Sequence, residues 1–445
     1  MIDDNSIIAA IDIGTTKIVA LAGKKNDAGK FEILGFGSVP SKGIKRGVVL
    51  NIEDTVQSIK AAVEKACSPT GLRLNEVFVG IAGQHIKSTK TRSSISFESF
   101  DKEISETDIQ NLTEKVYDIA LEAGEEILHA IPQSFIVDSE VGIKHPVGMS
   151  GKNLEGNFHV VIGMVASANN IKKCVNRVGL AVNSLILEPI ASAAAVLTED
   201  EKEIGVVLVD IGGGTTDVAV FHDSIIQHTA VIPIGGNAIT NDIKQTYTIL
   251  ERQAEELKKQ YGSAVQEKSK EGVVISIPGL KGRKPRELPL NELSYIIQAR
   301  MEEILHAIVF QIETSGCKNK LGAGIVICGG GSLLKNLRQL CSFITGMDVR
   351  IGYPNEHLES NVVDSINQPQ FATSIGLIMK GYEYIEEKDV KSKQVYDKLL
   401  AETSADDPEN DADMEEQDEQ EERPGILSKW KTKFSQLFEE DDTKF

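Results

Sequence analysis

Two short segments of this chain carry residues suited to phosphate chemistry: Asp12-Ile-Gly-Thr-Thr-Lys17 and Asp210-Ile-Gly-Gly-Gly-Thr-Thr-Asp217. In each, an Asp ends an apolar run, glycine follows and threonines close the loop. Glycines let backbone N–H groups approach an anion, and threonine hydroxyls add donors. A carboxylate cannot hold a phosphate directly, but it can hold a hydrated Mg²⁺. Gly14, Thr15 and Thr16 are therefore expected to cradle phosphates from one side. Gly212, Gly213, Gly214 and Thr215 are expected to do so from the other. Asp12 and Asp210 are the Mg²⁺-side candidates, acting through water. Lys17 either neutralises phosphate charge or points outward as a solvated strand residue. Two such loops facing each other predict a two-lobed ATP clamp.

Three further features fit that clamp. The run Gly329-Gly330-Gly331-Ser332 follows a third apolar stretch, Gly324–Cys328, and lets backbone lie flat against adenine or ribose. Glu255 and Lys258 stand three apart, on one helical face. They either take the ribose hydroxyls and the adenine edge or pair with each other. Glu188, just before Pro189, either orients a water for attack on the γ-phosphate or caps the helix that follows.

The elements that must hold these residues alternate between strand and helix texture, which predicts an α/β fold with mixed sheets. Ile7–Asp12, Ile18–Ala22 and Phe31–Val39 read as strands, Ile52–Ala66 as a helix and Val77–Ala82 as a buried strand. Between Gln84 and Asn157 the texture turns polar, with a helix at Glu103–Leu121 and a strand at Ile136–Val141, so this stretch reads as an inserted subdomain. Strand texture returns at His159–Ala166, and a second strand–loop–strand unit begins roughly 200 residues after the first, which suggests duplicated lobes. The expected boundaries are 1–83 and 158–200 for the first lobe, with 84–157 inserted. The second lobe takes 201–241, an outer subdomain at 242–315, and 316–385, which also returns to the first lobe. Leu290–Thr314 reads as a long amphipathic helix and Phe371–Tyr382 as the last helix of the body.

Bulk composition narrows the partners. The chain has 445 residues, 41% hydrophobic, enough for several cores. A formal charge of −19 argues against nucleic acid. The five cysteines form no CxxC pair, which fits reduced thiols, and the histidines show no metal-ligand spacing. Asp3 and Asp4 stand where a signal peptide would carry basic residues.

The charge is concentrated after the body. Residues 386–424 read as a disordered acidic linker, and Ala401–Glu422 hold 12 acidic residues with no Lys or Arg. Residues 425–438 then read as an amphipathic helix, with Ile426, Leu427, Trp430, Phe434, Leu437 and Phe438 on one stripe and Lys431 among the flanking lysines. Such a helix spans about 20 Å, short of the ~30 Å hydrocarbon core, so it would lie on an anionic membrane surface without crossing it.

Two DIG-type loops with a GGGS loop resemble the superfamily of actin, sugar kinases and DnaK-like chaperones. The stretch Val196-Leu-Thr-Glu-Asp-Glu-Lys-Glu-Ile-Gly-Val206 running into Asp210, and the basic run Lys281–Arg286 ahead of the helix with Arg300, look like the FtsA family of bacterial division proteins. That resemblance covers roughly residues 5–385 and the extreme C-terminus. It implies an actin-like two-lobed ATPase fold with an FtsA-type insertion, ATP and Mg²⁺ binding with at most slow hydrolysis, and filament formation. Implied partners are the C-terminal tail of the tubulin-like FtsZ, the inner face of the cell membrane at the division site and further division proteins. Arg283, Arg286 and Arg300 would lie at the FtsZ-tail site, since Arg pairs with carboxylates through two bonds at once. A sugar kinase, a DnaK-like chaperone or a pilus-assembly ATP-binding protein are alternatives with the same clamp. No substrate site or folded peptide-binding domain is evident for the first two.

Overall fold

The computed structural model describes residues 7–266, 272–277, 285–359 and 366–405. The predicted membrane helix at 425–438 and Arg283 lie outside these residues. The described residues up to Asp389 form one compact unit.

The first lobe begins with β1 (Ile8–Ile13), β2 (Lys17–Lys25) and β3 (Phe31–Pro40), followed by a small hairpin of β4 (Ile44–Lys45) and β5 (Val48–Val49). Helix α1 (Ile52–Cys67) starts where the Asn51 side chain accepts the Asp54 N–H, and its buried Val56, Ile59, Ala62 and Ala66 recur at helical spacing. It leads to β6 (Glu76–Ile81). Every residue of β1 is buried, as expected for a central strand covered on both faces.

An inserted layer follows: β7 (Lys87–Ser96), α2 (Glu106–Glu114), β8 (Glu125–Val137), β9 (Glu140–Ile143) and β10 (Asn153–Met164). These strands make an antiparallel sheet in the order β7-β10-β8-β9. Here the sequence reading needs correcting. The insertion was expected to end at Asn157, with a new body strand from His159, yet one strand runs from Asn153 to Met164. Its texture changes midway because its second half is buried almost throughout, near the second lobe. There Ser88 Oγ donates to Thr229 O (2.7 Å), His159 Nε2 meets Thr229 Oγ1 (2.8 Å) and Gln133 Nε2 donates to Ile226 O (2.7 Å). A change of neighbours, with no change of element, produced the false boundary.

The chain returns through α3 (Val165–Asn176), β11 (Ala181–Leu187), α4 (Glu188–Val196) and α5 (Glu199–Ile204). The first sheet has the order β11-β6-β1-β2-β3, with β6 parallel to both β1 and β11 and helical crossovers between them. The second lobe repeats this plan with β12 (Val206–Ile211), β13 (Thr216–His222) and β14 (Ile225–Ile232). Next come α6 (Gly236–Tyr247), α7 (Glu251–Tyr261), the hairpin β15 (Val274–Ile277) and β16 (Arg286–Pro289), and α8 (Leu290–Thr314). Then β17 (Ile325–Cys328), α9 (Leu337–Thr345) and β18 (Val349–Ile351) complete a sheet in the order β14-β13-β12-β17-β18.

The first turns of the last helix, α10 (Ala372–Ala405), pack with α4 between the two sheets. Ala191, Ala194, Ile375 and Ile378 share one core with Leu21 and Leu208 from the two lobes. This helix also corrects an expectation: the disordered linker was to begin at residue 386, but helix continues to Ala405. Residues 386–401 are rich in Glu, Lys, Gln and Leu, good helix formers of mixed charge. Among the described residues, no helix is long and apolar enough to cross a membrane.

Candidate functional site

The two glycine–threonine loops meet face to face. Both leave the C-terminal end of a central strand, the place where open α/β sheets present ligand sites. A Cβ built on Gly213 would overlap Thr16 Oγ1, and one on Gly214 would lie 2.5 Å from Thr15 Oγ1. The side chains of one loop therefore occupy the space left by the missing side chains of the other. Around them, Gly236 N–H donates to Gly212 O (2.9 Å) and Asn237 N–H to Gly213 O (2.8 Å), tying the second loop to the first turn of α6.

Acidic groups converge beneath the loops. Asp12, Asp210 and Asp217 are 6%, 7% and 3% exposed. Ser374 Oγ donates to Asp12 Oδ2 (2.9 Å), while Ser192 Oγ (2.8 Å) and Thr373 Oγ1 (3.0 Å) donate to Asp210 Oδ2. These donors come from α4 and α10, so the helices between the lobes also orient the carboxylates. Burial raises the Asp12 pKa against the opposing pull of Lys17. Glu188 opens α4, and its carboxyl is pushed well above the usual range by burial and then by Asp12, Asp217 and Asp210. It does not cap the helix, which has no side-chain cap bond. A carboxyl with a raised pKa is the better general base.

Asp217 was not singled out as a site residue in the sequence. Thr215 Oγ1 donates to its Oδ2 (3.3 Å), and its Oδ1 is buried without a partner. Burial and the neighbouring Asp210 push its pKa well up. In the sequence Asp217 stands at the end of the second loop, directly before the apolar run Val218–Phe221, and reads as a loop residue. Among the described residues no three His, Cys, Asp or Glu side chains gather as a coordination sphere. This set of carboxylate oxygens, mutually repelling and partly held by hydroxyls, fits a hydrated Mg²⁺ bound through its waters.

Other predicted residues have partners of their own. Lys17 Nζ donates to Gln370 O (2.6 Å) and sits 5.0 Å from the Phe371 ring centre, so it is no solvated strand residue. Glu255 and Lys258 pair with each other (2.7 Å), and Lys258 also donates to Gly236 O (2.9 Å) and Thr240 Oγ1 (2.8 Å). They pin α7 to the start of α6, beside the second loop. Gly329 leads into a 3₁₀ turn, Gly330–Leu333, where Ser332 Oγ donates to Gly329 O (2.7 Å). A Cβ on Gly330 would meet open space, and one on Gly331 would collide with Ile211.

The predicted partner residues lie on the outer part of the second lobe. Arg300 on α8 grips Asp242 of α6 through two bonds (2.7 and 3.0 Å) and also pairs with Glu303. Arg286 donates to Tyr247 O and Thr248 O at the end of α6. Asp242, Tyr295, Ile296 and Arg300 line a cavity of about 360 Å³.

Comparison with known proteins agrees with this architecture. The family described as "Cell division protein FtsA" matches residues 207–376, and "SHS2 domain inserted in FTSA" matches 83–162. The chain is 40% identical to the cell division protein FtsA of Pseudomonas aeruginosa over 86% of this chain and 91% of that protein. It is 32% identical to that of Escherichia coli K12, over 85% and 91%. Among solved structures, the PilM-PilN type IV pilus biogenesis complex superposes with a TM-score of 0.63 at 15% identity, over 84% of this chain and 98% of that one. MreB5 of Spiroplasma citri bound to ADP gives 0.53 at 16%, over 87% and 99%. These likenesses place the chain in the actin-like two-lobed fold.

Proposed function

Because the chain belongs to the FtsA family of bacterial cell division proteins, we propose that it is a nucleotide-controlled membrane adaptor. It binds ATP with Mg²⁺ between its lobes, self-associates into filaments and tethers FtsZ polymers to the cytoplasmic face of the membrane at the division site. The observation that carries the reading is the interlock of Thr15 and Thr16 with Gly214 and Gly213 above the buried acids. One nucleotide gripped by both loops would touch both lobes, so its presence would bias the angle between them. Such control requires different affinity for the open and closed states. Glu188 orients a water for slow hydrolysis at most, and the ATP serves chiefly to set a shape.

The remaining parts follow from the same assignment. FtsZ tails carry acidic groups, and the cavity beside Arg300 offers an arginine next to Tyr295, which is 64% exposed. A tail carboxylate there would compete with Asp242 for the guanidinium. The stripe from Ile426 to Phe438, with Lys431, supplies reversible attachment to anionic lipid, made firm by linking many copies in a filament. The test is electron microscopy of the full chain with ATP on anionic liposomes, with and without an FtsZ tail peptide. Membrane-bound filaments that recruit the peptide are expected. Bare liposomes and no recruitment would refute the proposal.

A further inference from the structure

The small hairpin β4–β5 sits beside the first phosphate loop, and its turn uses an unexpected residue. Lys45 pairs with Val48, so the turn consists of Arg46 and Gly47, with φ of 51° and 74°. Two successive left-handed residues suit Asn-Gly or Gly-Gly, because a Cβ crowds the following carbonyl in that region. The other non-glycine residues at positive φ among the described residues are Asp138, Asp223, Ser224, Thr248 and Asn336. Four of these have short polar side chains, and Thr248 ends α6 where Arg286 binds its carbonyl. Arg46 is the long, charged exception.

The position of the turn gives that exception a use. Gly47 N–H donates to Thr15 Oγ1 (3.2 Å), and Thr15 is the residue lodged against Gly214 of the opposite loop. Behind it the turn is pressed onto the chain after β6: a Cβ on Gly47 would stand 2.6 Å from both Ala82 O and Gly83 Cα. The tip is thus fixed against the phosphate loop, with an exposed arginine next to the contact. Cation is needed there. Asp12, Glu188, Asp210 and Asp217 are all acidic, Lys17 is held by Gln370 O and Lys258 by Glu255.

We propose that Arg46 is a phosphate-binding residue of the clamp, its guanidinium bonding the terminal phosphate of a nucleoside triphosphate held by the two loops. The left-handed turn is retained because it anchors that arginine beside Thr15. This inference rests on the nucleotide reading above. A planar guanidinium matches a phosphate with paired N–H···O bonds. Because the contact is to the terminal phosphate, a diphosphate lacks it. Arg46 therefore sets the preference for triphosphate over diphosphate.

Calorimetric titration of the full chain with ATP and with ADP, each with Mg²⁺, tests this in wild type, Arg46→Gly and Arg46→Lys. Glycine eases the turn, so the first variant keeps its fold. In Arg46→Gly, ATP affinity is expected to fall about 10- to 100-fold and ADP affinity by less than about twofold, with lysine recovering part of the loss. Equal losses for both nucleotides, or no loss, would overturn the role of Arg46 and leave nucleotide binding intact. A wild-type chain that binds neither nucleotide would overturn both.

Discussion

The two strand–loop–strand units look alike as text and differ in space in an instructive way. By letters, Thr15-Thr16 matches Thr215-Thr216. By strand register, Asp12 pairs with Val19 and Asp210 with Asp217, so the loops are equal in length and the match shifts. Thr15 and Thr16 then correspond to Gly213 and Gly214, Lys17 to Thr215, and Val19 to Asp217. The side chains of the first loop fill the gaps of the second, and the second unit alone carries a buried acid on its return strand. The two units share a frame, and their differences at these positions make the two loops complementary in shape.

Making the units alike should undo this. The largest effect is expected from Val19→Asp, which copies Asp217 into the first unit. Val19 is fully buried among apolar neighbours, so a carboxyl there should cost on the order of 4 kcal/mol and abolish cooperative folding near 37 °C, as a thermal melt would reveal. Next, Gly213→Val removes the gap that holds Thr16. Overpacking of about 1–3 kcal/mol, if felt in full in the nucleotide-bound state, translates to roughly 5- to 150-fold weaker ATP binding by calorimetry. An unaltered affinity would mean the interlock is incidental.

A pH experiment sharpens the charge half of the comparison. Burial and Asp210 raise the Asp217 pKa in the folded chain. The folded state thus holds the proton more tightly than the unfolded chain, whose Asp titrates near about 3.9. That contribution to stability is complete below this value and is lost as pH rises through the folded pKa. Asp217→Asn should match wild type near pH 4 and melt roughly 2–4 °C higher at pH 7. Equal melting at both pH values would contradict the assignment. The smallest effect is expected for Thr16→Ser, which keeps the hydroxyl: ATP affinity should change by about twofold or less in the same titration.

Much of this was legible in the sequence because it is local. Apolar runs ending in Asp and Gly located β1 and β12, and the helical spacing of Leu290–Thr314 matched α8. What was not legible depends on distant neighbours. Nothing near Lys17 announces Gln370, more than 350 residues away. The acid at Asp217 reads as an ordinary loop end until its burial is seen, and Glu255 and Lys258 read equally well as a ligand pair or as the brace that the structure displays. The insertion boundary failed because β10 changes surroundings partway along one strand.

The central claim is that one nucleotide is held between complementary loops. A crystal structure of the full chain with Mg²⁺ and a non-hydrolysable ATP analogue tests it most directly. Phosphates are expected between Gly14–Thr16 and Gly212–Thr215, with Asp12 and Asp210 reaching the metal through water. Phosphates bound by one loop alone, or anywhere else on the molecule, would contradict it.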